Sequence, residues 1–312
     1  MGDLMHALPA ITEAKSHMND ITFDWVVDKS FSSVPKWHPD VKNTLETNHR
    51  EWKFNLFSSK ARDEMRKVIN KINDNEYDLI IDMQNNLKSA FLSFMCKSPV
   101  AGLDAKSARE YPAHLAYKNK SRVPKDMHAV ERQKHLLASA LGYKTNLANR
   151  DYGISKANFR KPKKYHFSKY AICVQNASWT TKQWPIESWK ELLRILEQRD
   201  LNLLFPSGNQ AEFERASEIC SISEKAHALE VLPLDEVAFL IDNSEFSLCS
   251  DTGLAHLSAV VSTPSLTLYG PTDTNLIGTY GKDQNHLVSP DSNISKISVH
   301  DVLTKLEHLS FI

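Results

Sequence analysis

The chain has 312 residues, enough for two domains of ordinary size. A hydrophobic fraction of 41% and a charged fraction of 24% exclude wholesale disorder, and no apolar run approaches the roughly 20 residues that span a bilayer. The 38 basic and 38 acidic side chains cancel, so a nucleic-acid partner is not expected.

The chain opens with Met1-Gly2-Asp3 and runs directly into a helix over Leu4–His17. A Rossmann-like domain normally begins with a buried central strand and turns at a glycine after it. Here the turn stands without the strand, so the first strand of the N-terminal domain is expected to be missing. Met1 is read either as an internal methionine or as the start of a domain that tolerates the loss. The first ten residues lack the basic start and long apolar stretch of a signal peptide, which leads to the expectation of a cytoplasmic protein.

Short apolar runs then alternate with amphipathic stretches. Strands are expected at Thr22–Val27, Leu79–Asp82, Tyr170–Gln175, Leu201–Phe205, Phe246–Ser250 and Ser265–Tyr269. Several are continuously apolar, as strands covered on both faces tend to be. Helices are expected at Ser59–Asn73, Asn86–Met95, His128–Leu141, Ile186–Arg199, Gln210–Ile219, Leu234–Asp242, Gly253–Val261 and Ser298–Leu309. This alternation predicts an α/β protein with parallel sheets and right-handed crossovers. The basic, aperiodic stretch Ile154–Lys169 reads as a linker. Residues 1–155 and 168–298 are expected to form two Rossmann-like domains, with a helix over 299–312 that can cross back onto the first. The first 150 residues carry a net charge of +5 and the remainder −5, which hints that the first half meets an anionic partner.

The strongest local signal is FSLCSDTGLAHL, Phe246–Leu257. An apolar strand ends in Ser250-Asp251-Thr252-Gly253 and a helix starts there. Free backbone N–H groups and the helix dipole attract anions at such a start. Gly253 allows a diphosphate to approach, Thr252 offers a hydroxyl, Asp251 caps the helix or holds a sugar hydroxyl, and His256 lies on the first turn. Plain helix capping accounts equally well for the turn taken alone. A second turn, Tyr269-Gly270-Pro271-Thr272-Asp273, follows another apolar strand. A third segment, NASWTTKQWP at Asn176–Pro185, places Ser178 and Lys182 after a strand of the same half. An exposed lysine in a loop is ordinarily a surface charge, but three such loops on one half make coincidence a weaker explanation. Asp3 suits a general base as well as a helix N-cap. Arg50 and Lys53 form one basic cluster, and Arg109 with Lys118, Lys120 and Arg122 another; arginine suits bidentate grip on carboxylate or phosphate. Cys96, Cys173, Cys220 and Cys249 are widely spaced and read as reduced, buried side chains. No Asp-x-Asp, P-loop, GxSxG or HExxH pattern is present, so neither metal nor cofactor is expected.

Taken in order, MGDLMHALPAIT, FDWVVD, IDMQNNLKSA, SARE, HAVER, KQWP, SDTGLAHLSA and YGPTD resemble the lipopolysaccharide heptosyltransferase I group of glycosyltransferase family 9, over nearly the whole chain. The resemblance implies a GT-B fold, two Rossmann-like parallel-sheet domains facing a central cleft. It implies inverting, metal-independent transfer of heptose from ADP-heptose to the Kdo sugar of Kdo-lipid A in inner-core lipopolysaccharide synthesis, on the cytoplasmic face of the inner membrane. By the same resemblance Asp3 is the catalytic base and Lys182 contacts the donor's diphosphate and sugar. Ser178, Asp251, Thr252, Gly253 and His256 line the donor site, Glu212 lies near the adenosine ribose, and Arg50, Lys53 and Arg109 meet the anionic acceptor. Three features depart from the family pattern. The first strand and its Ser-Ser lead-in are absent before Met1, a Thr-Thr pair reads Ala177-Ser178, and Lys53 stands where arginine is usual. The competing readings are a truncated remnant that binds ADP-sugar without transferring it, and a relative with another acceptor.

Overall fold

The computed structural model describes residues 1–52 and 58–312; Lys53, and the side chain of Arg50, lie outside the described part. The chain divides into two compact units, residues 3–155 and 156–312.

The first unit contains α1 (Gly2–His17), β1 (Phe23–Asp28), α2 (Ser33–Lys36), β2 (Val41–Thr47), α3 (His49–Trp52), α4 (Ser59–Asp74), β3 (Ile80–Ile81), α5 (Leu87–Phe94), β4 (Val100–Leu103), β5 (Asn119–Ser121) and α6 (Ala129–Leu141). Every strand pairing is parallel, yet the strands form two sheets, β1-β2 and β3-β4-β5. Among the described residues no strand joins β1 to β3, the place in the strand order where a central strand would sit. Side chains of both sheets, Trp25 from β1 and Ile81 from β3, pack on one cluster of Ala10, Ile11 and Ala14 from α1 and Leu137 from α6. A buried ion pair ties these helices together. Lys134 of α6 lies 3.7 Å from Glu13 of α1 and donates to the carbonyls of Asn146 and Asn149 at 2.5 and 2.8 Å. Glu13 also accepts from the Thr145 hydroxyl at 2.9 Å and from the Asn146 amide. Nearby, a Cβ on Gly102 would fall 2.3 Å from the ring of Tyr117, so glycine lets that ring lie against β4 and donate its hydroxyl to Asp82 at 2.7 Å.

The second unit runs β6 (Tyr170–Val174), α7 (Ile186–Leu196), β7 (Asn202–Phe205), α8 (Gln210–Cys220), β8 (Ala226–Ala228), α9 (Leu234–Asp242), β9 (Ser247–Ser250), α10 (Gly253–Val261), β10 (Ser265–Tyr269), α11 (Thr274–Ile277), β11 (Gln284–Val288) and α12 (Val299–His308). Its six strands form one parallel sheet in the order β11-β10-β9-β6-β7-β8. Counted within the unit this is 6-5-4-1-2-3, the doubly wound nucleotide-binding arrangement, whose order reverses between β6 and β9. Residues of β6, β9 and β10 are buried throughout, as a sheet covered by helices on both faces requires. Trp184, Trp189 and Phe205 pack edge to face at 5.1 and 5.5 Å inside this core.

The last helix packs within the second unit. Val299, Val302 and Leu306 of α12 belong to the core of the second unit, and α12 packs on α7. The Trp184 indole donates to the Ile297 carbonyl at 2.9 Å just before the helix begins. The apolar stripe of α12 is buried in the core of its own unit. The four cysteines are free thiols, three of them buried.

Candidate active site

The loops that follow β6 and β9 flank the point where the strand order reverses, which is where open α/β sheets bind ligands. After β9, Asp251 is only 7% exposed. Its Oδ2 lies 2.7 Å from Lys182 Nζ, delivered by the loop after β6, and accepts a hydrogen bond from the Thr272 hydroxyl in the turn after β10. Three loops separated by up to 90 positions in sequence thus meet at one carboxylate, and the sequence motifs SDTG, KQWP and YGPTD become one constellation.

Asp251 is held by these partners instead of capping the helix. The N-cap of α10 is Thr252, whose side chain makes no capping bond to its own helix, and both Thr252 and Gly253 are partly exposed. The sheet above is tight where the YGPT turn passes. A Cβ on Gly270 would sit 2.9 Å from the backbone nitrogen of Ile294, so only glycine fits. Asp273 caps α11 by accepting from the Asn275 amide at 2.9 Å. His256, on the first turn of α10, is buried. Ser178 is exposed on the loop after β6, which closes on itself through a 3-10 turn at Thr180–Lys182 and a bond from the Gln183 side-chain amide to the Ala177 carbonyl at 3.0 Å.

Glu212 sits in the first turn of α8. It accepts from the Gly208 amide at 2.8 Å, from Asn176 Nδ2 at 3.0 Å and from Asn209 Nδ2 at 2.9 Å, while Asn209 caps the same helix through the Glu212 amide. One carboxylate therefore holds the loop after β7 against the loop after β6. Sequence reasoning missed Asn176 and Ser207. Each lies two positions beyond the end of a strand, and that position is the available signal. Asn176 Oδ1, Ser207 Oγ and Ser250 Oγ are buried without a hydrogen-bond partner. They cluster at the carboxyl ends of three adjacent strands, β6, β7 and β9.

In the first unit, Asp3 lies in the first turn of α1 and forms an ion pair with Arg109, Nη1 to Oδ2 2.8 Å. The Asp3 side chain is 49% exposed. Burial alone raises its pKa, but the Arg109 charge and hydrogen bond, helped by His6 and the N-terminal amine, outweigh it and hold the carboxyl below its ordinary value. The two residues are 106 positions apart in sequence, and the fold brings them together. Lys118 and Lys120 are exposed near β5, and Arg122 lies 4.0 Å from Asp104. The basic cluster of Arg50 and Lys53 falls on the undescribed side chains.

Residues 65–306 match the model of glycosyltransferase family 9 (heptosyltransferase). The chain is 37% identical to lipopolysaccharide heptosyltransferase 1 of Pseudomonas aeruginosa, over 93% of this chain and 81% of that protein. It is 35% identical to lipopolysaccharide heptosyltransferase 1 of Escherichia coli K12, over 99% and 97%. Among solved structures, E. coli heptosyltransferase WaaC with ADP superposes with a TM-score of 0.92 at 34% identity, covering 99% of this chain and 97% of that one. WaaC with ADP-2-deoxy-2-fluoro heptose superposes with a TM-score of 0.88 at 33% identity, covering 99% and 96%. The chain belongs to glycosyltransferase family 9, the heptosyltransferases, and has the GT-B fold.

Proposed function

We propose that the protein transfers heptose from ADP-heptose, with inversion and without a metal ion, to the Kdo sugar of Kdo-lipid A during lipopolysaccharide inner-core synthesis, working at the cytoplasmic face of the inner membrane. The observation that carries the donor assignment is the Lys182–Asp251 pair beside the start of α10, at the reversal point of the second sheet. The leaving ADP gains negative charge as the bond to the anomeric carbon breaks. Lys182 and the backbone N–H groups at Gly253 supply fixed positive charge for it, and preorganised electrostatics of this kind contribute a large share of catalysis. Thr252 and Ser178 offer hydroxyls to the phosphates, His256 and Asp251 flank the sugar, and Glu212 fixes the loops on which the adenosine ribose rests.

Asp3 takes the proton from the acceptor hydroxyl as that oxygen attacks the anomeric carbon. The Arg109 pair keeps Asp3 ionised and ready to accept it. Arg109, with Arg50 and Lys53, meets the anionic acceptor. The test is a transfer assay with ADP-heptose and Kdo-lipid A on the wild-type protein and Asp3→Asn. The expected result is transfer by the wild type, and loss of transfer with retained ADP-heptose binding in the variant. Turnover by Asp3→Asn at the wild-type rate refutes the role of Asp3. Donor binding without transfer by the wild type refutes the activity and favours a binding remnant.

A further inference from the structure

Helix α5 is apolar on both faces. Asn86 starts it with a capping box to Ser89. Ala90 and Leu92 face the interior, where they join two small clusters with Val100, Ala113, Tyr117, Ile69 and Ile72. The opposite face, at positions i, i+4, i+7 and i+8, carries Leu87, Phe91, Phe94 and Met95, and all four are exposed. Beside it packs the 3-10 turn Ala113–Ala116. That turn buries Ala113 and His114 and leaves Leu115 outside, with Tyr111 just before it. Exposure reaches 71% for Phe94, 68% for Leu115 and 75% for Tyr111. Of the thirteen large hydrophobic side chains exposed among the described residues, these six occupy one stretch, while the others are scattered. A concentrated apolar patch on the surface marks an interaction site.

The rim of this patch is basic. Residues 85–122 hold seven lysines and arginines against two acids, Asp104 and Glu110. Both acids are engaged. Asp104 lies by Arg122, and the Glu110 carboxylate accepts from the Leu87 amide at 2.9 Å. Lys88, Lys97 and Lys118 are exposed, and Lys97, Lys118 and Phe94 line the same shallow depression. No helix among the described residues is long and apolar enough to cross a membrane. An apolar face with Phe and Leu, ringed by lysine, fits the boundary between anionic headgroups and acyl chains. A second copy of the chain fits less well, because a two-fold interface would set the same lysine rim against itself.

From this we infer that the face formed by α5 and the turn at Ala113–Ala116 docks on the surface of an anionic phospholipid bilayer. The inference deepens the reading above and draws its purpose from it, since the proposed acceptor is lipid-anchored; the vesicle measurement below stands apart from that reading. Phe91, Phe94 and Leu115 enter the headgroup–acyl boundary, and Lys88, Lys97 and Lys118 meet the headgroup charges.

The test is co-sedimentation with vesicles of phosphatidylglycerol and phosphatidylethanolamine, against vesicles of phosphatidylcholine alone. The expected result is binding to the anionic vesicles that weakens as salt rises. The double substitution Phe91→Ser/Phe94→Ser is expected to weaken it by at least about tenfold. Lys97→Gln and Lys118→Gln should each weaken it by about fivefold at low salt. Ile195→Ser, on exposed apolar surface elsewhere, should leave it unchanged. Because the substituted side chains are exposed, circular dichroism and melting should match the wild type. Transfer to a water-soluble, deacylated Kdo acceptor should also be unaffected in the Phe variants. Equal vesicle binding by wild type and the double Ser variant overturns the inference, as does no binding by the wild type. Wild-type dimerisation abolished by the Phe substitutions overturns it in favour of a second copy. If transfer to the soluble acceptor fails in the wild type, the functional reading falls while the vesicle result keeps its meaning.

Discussion

Arg109 is the ion-pair partner of Asp3. The carboxyl is half exposed, and the guanidinium 2.8 Å away holds its pKa below the ordinary value. A depressed pKa keeps the base ionised to lower pH. Removing Arg109 removes the depressing charge, so in Arg109→Gln the Asp3 pKa rises and the acid limb of kcat/KM moves to higher pH. A pH–rate profile on both proteins checks this; an unmoved acid limb refutes the coupling. The same pairing has a second consequence. Under the proposed mechanism Arg109 both pairs with Asp3 and meets the anionic acceptor. In the other unit, Lys182→Ala removes the cation beside a carboxylate that is 7% exposed. Donor affinity should fall about 10- to 100-fold, as expected for a lost charge-assisted contact, measured by titration calorimetry with ADP. Unchanged ADP affinity would sink the assignment of Lys182 to the diphosphate.

At the scale of elements, α1 and α6 do the work of a sheet that is split. Their contact rests on Glu13 and Lys134, both essentially without solvent exposure. Lys134→Ala leaves the Glu13 carboxylate buried without its cation, which costs about 3–5 kcal/mol. The double substitution Glu13→Gln/Lys134→Met should recover much of that loss, since a buried pair replaced by uncharged groups of similar volume is often neutral. Urea unfolding of both proteins measures the difference, and equal destabilisation by the single and double variants refutes it. Elements also show where sequence reading works. The expected strands Tyr170–Gln175, apolar through Val174, and Ser265–Tyr269, where leucines alternate with small Ser and Thr side chains, sit buried inside the second sheet. Strands that the periodicity did not reveal include β2, β5, β8 and β11, and each lies at a sheet edge. Edge strands pair on one side and keep polar residues facing water, so sequences such as Asn119-Lys120-Ser121 carry no strand signal. The fifth, β4, is interior but only four residues long and holds Gly102, which breaks the β pattern.

For the molecule as a whole, the two units differ in how their backbones are secured. The second has one sheet of six strands; the first has sheets of two and three. An interrupted ladder leaves more strand edges and a smaller continuous core, so the first unit should open at lower free energy. In native-state hydrogen exchange, the amides of Val26 and Ile81 should exchange well before those of Ile172 and Leu266. Equal protection in the two units would show that the helices α1 and α6 compensate fully for the interruption.

The sequence by itself determined the alternation of buried strands and amphipathic helices, and with it the α/β class and the places where loops follow strands. Those properties depend on local periodicity and on turn chemistry, which are written residue by residue. It also determined the family, through motifs spread over the chain. Only the tertiary structure decided that Asp251 is a partner of Lys182 and Thr272 and leaves the helix cap to Thr252. It alone joined Asp3 to Arg109, seated α12 in the core of the second unit, and gathered six exposed apolar side chains onto one face. These outcomes depend on contacts between residues far apart in the chain. Hydrogen-bond geometry and burial are set by the packing of whole elements, and no local pattern carries that information.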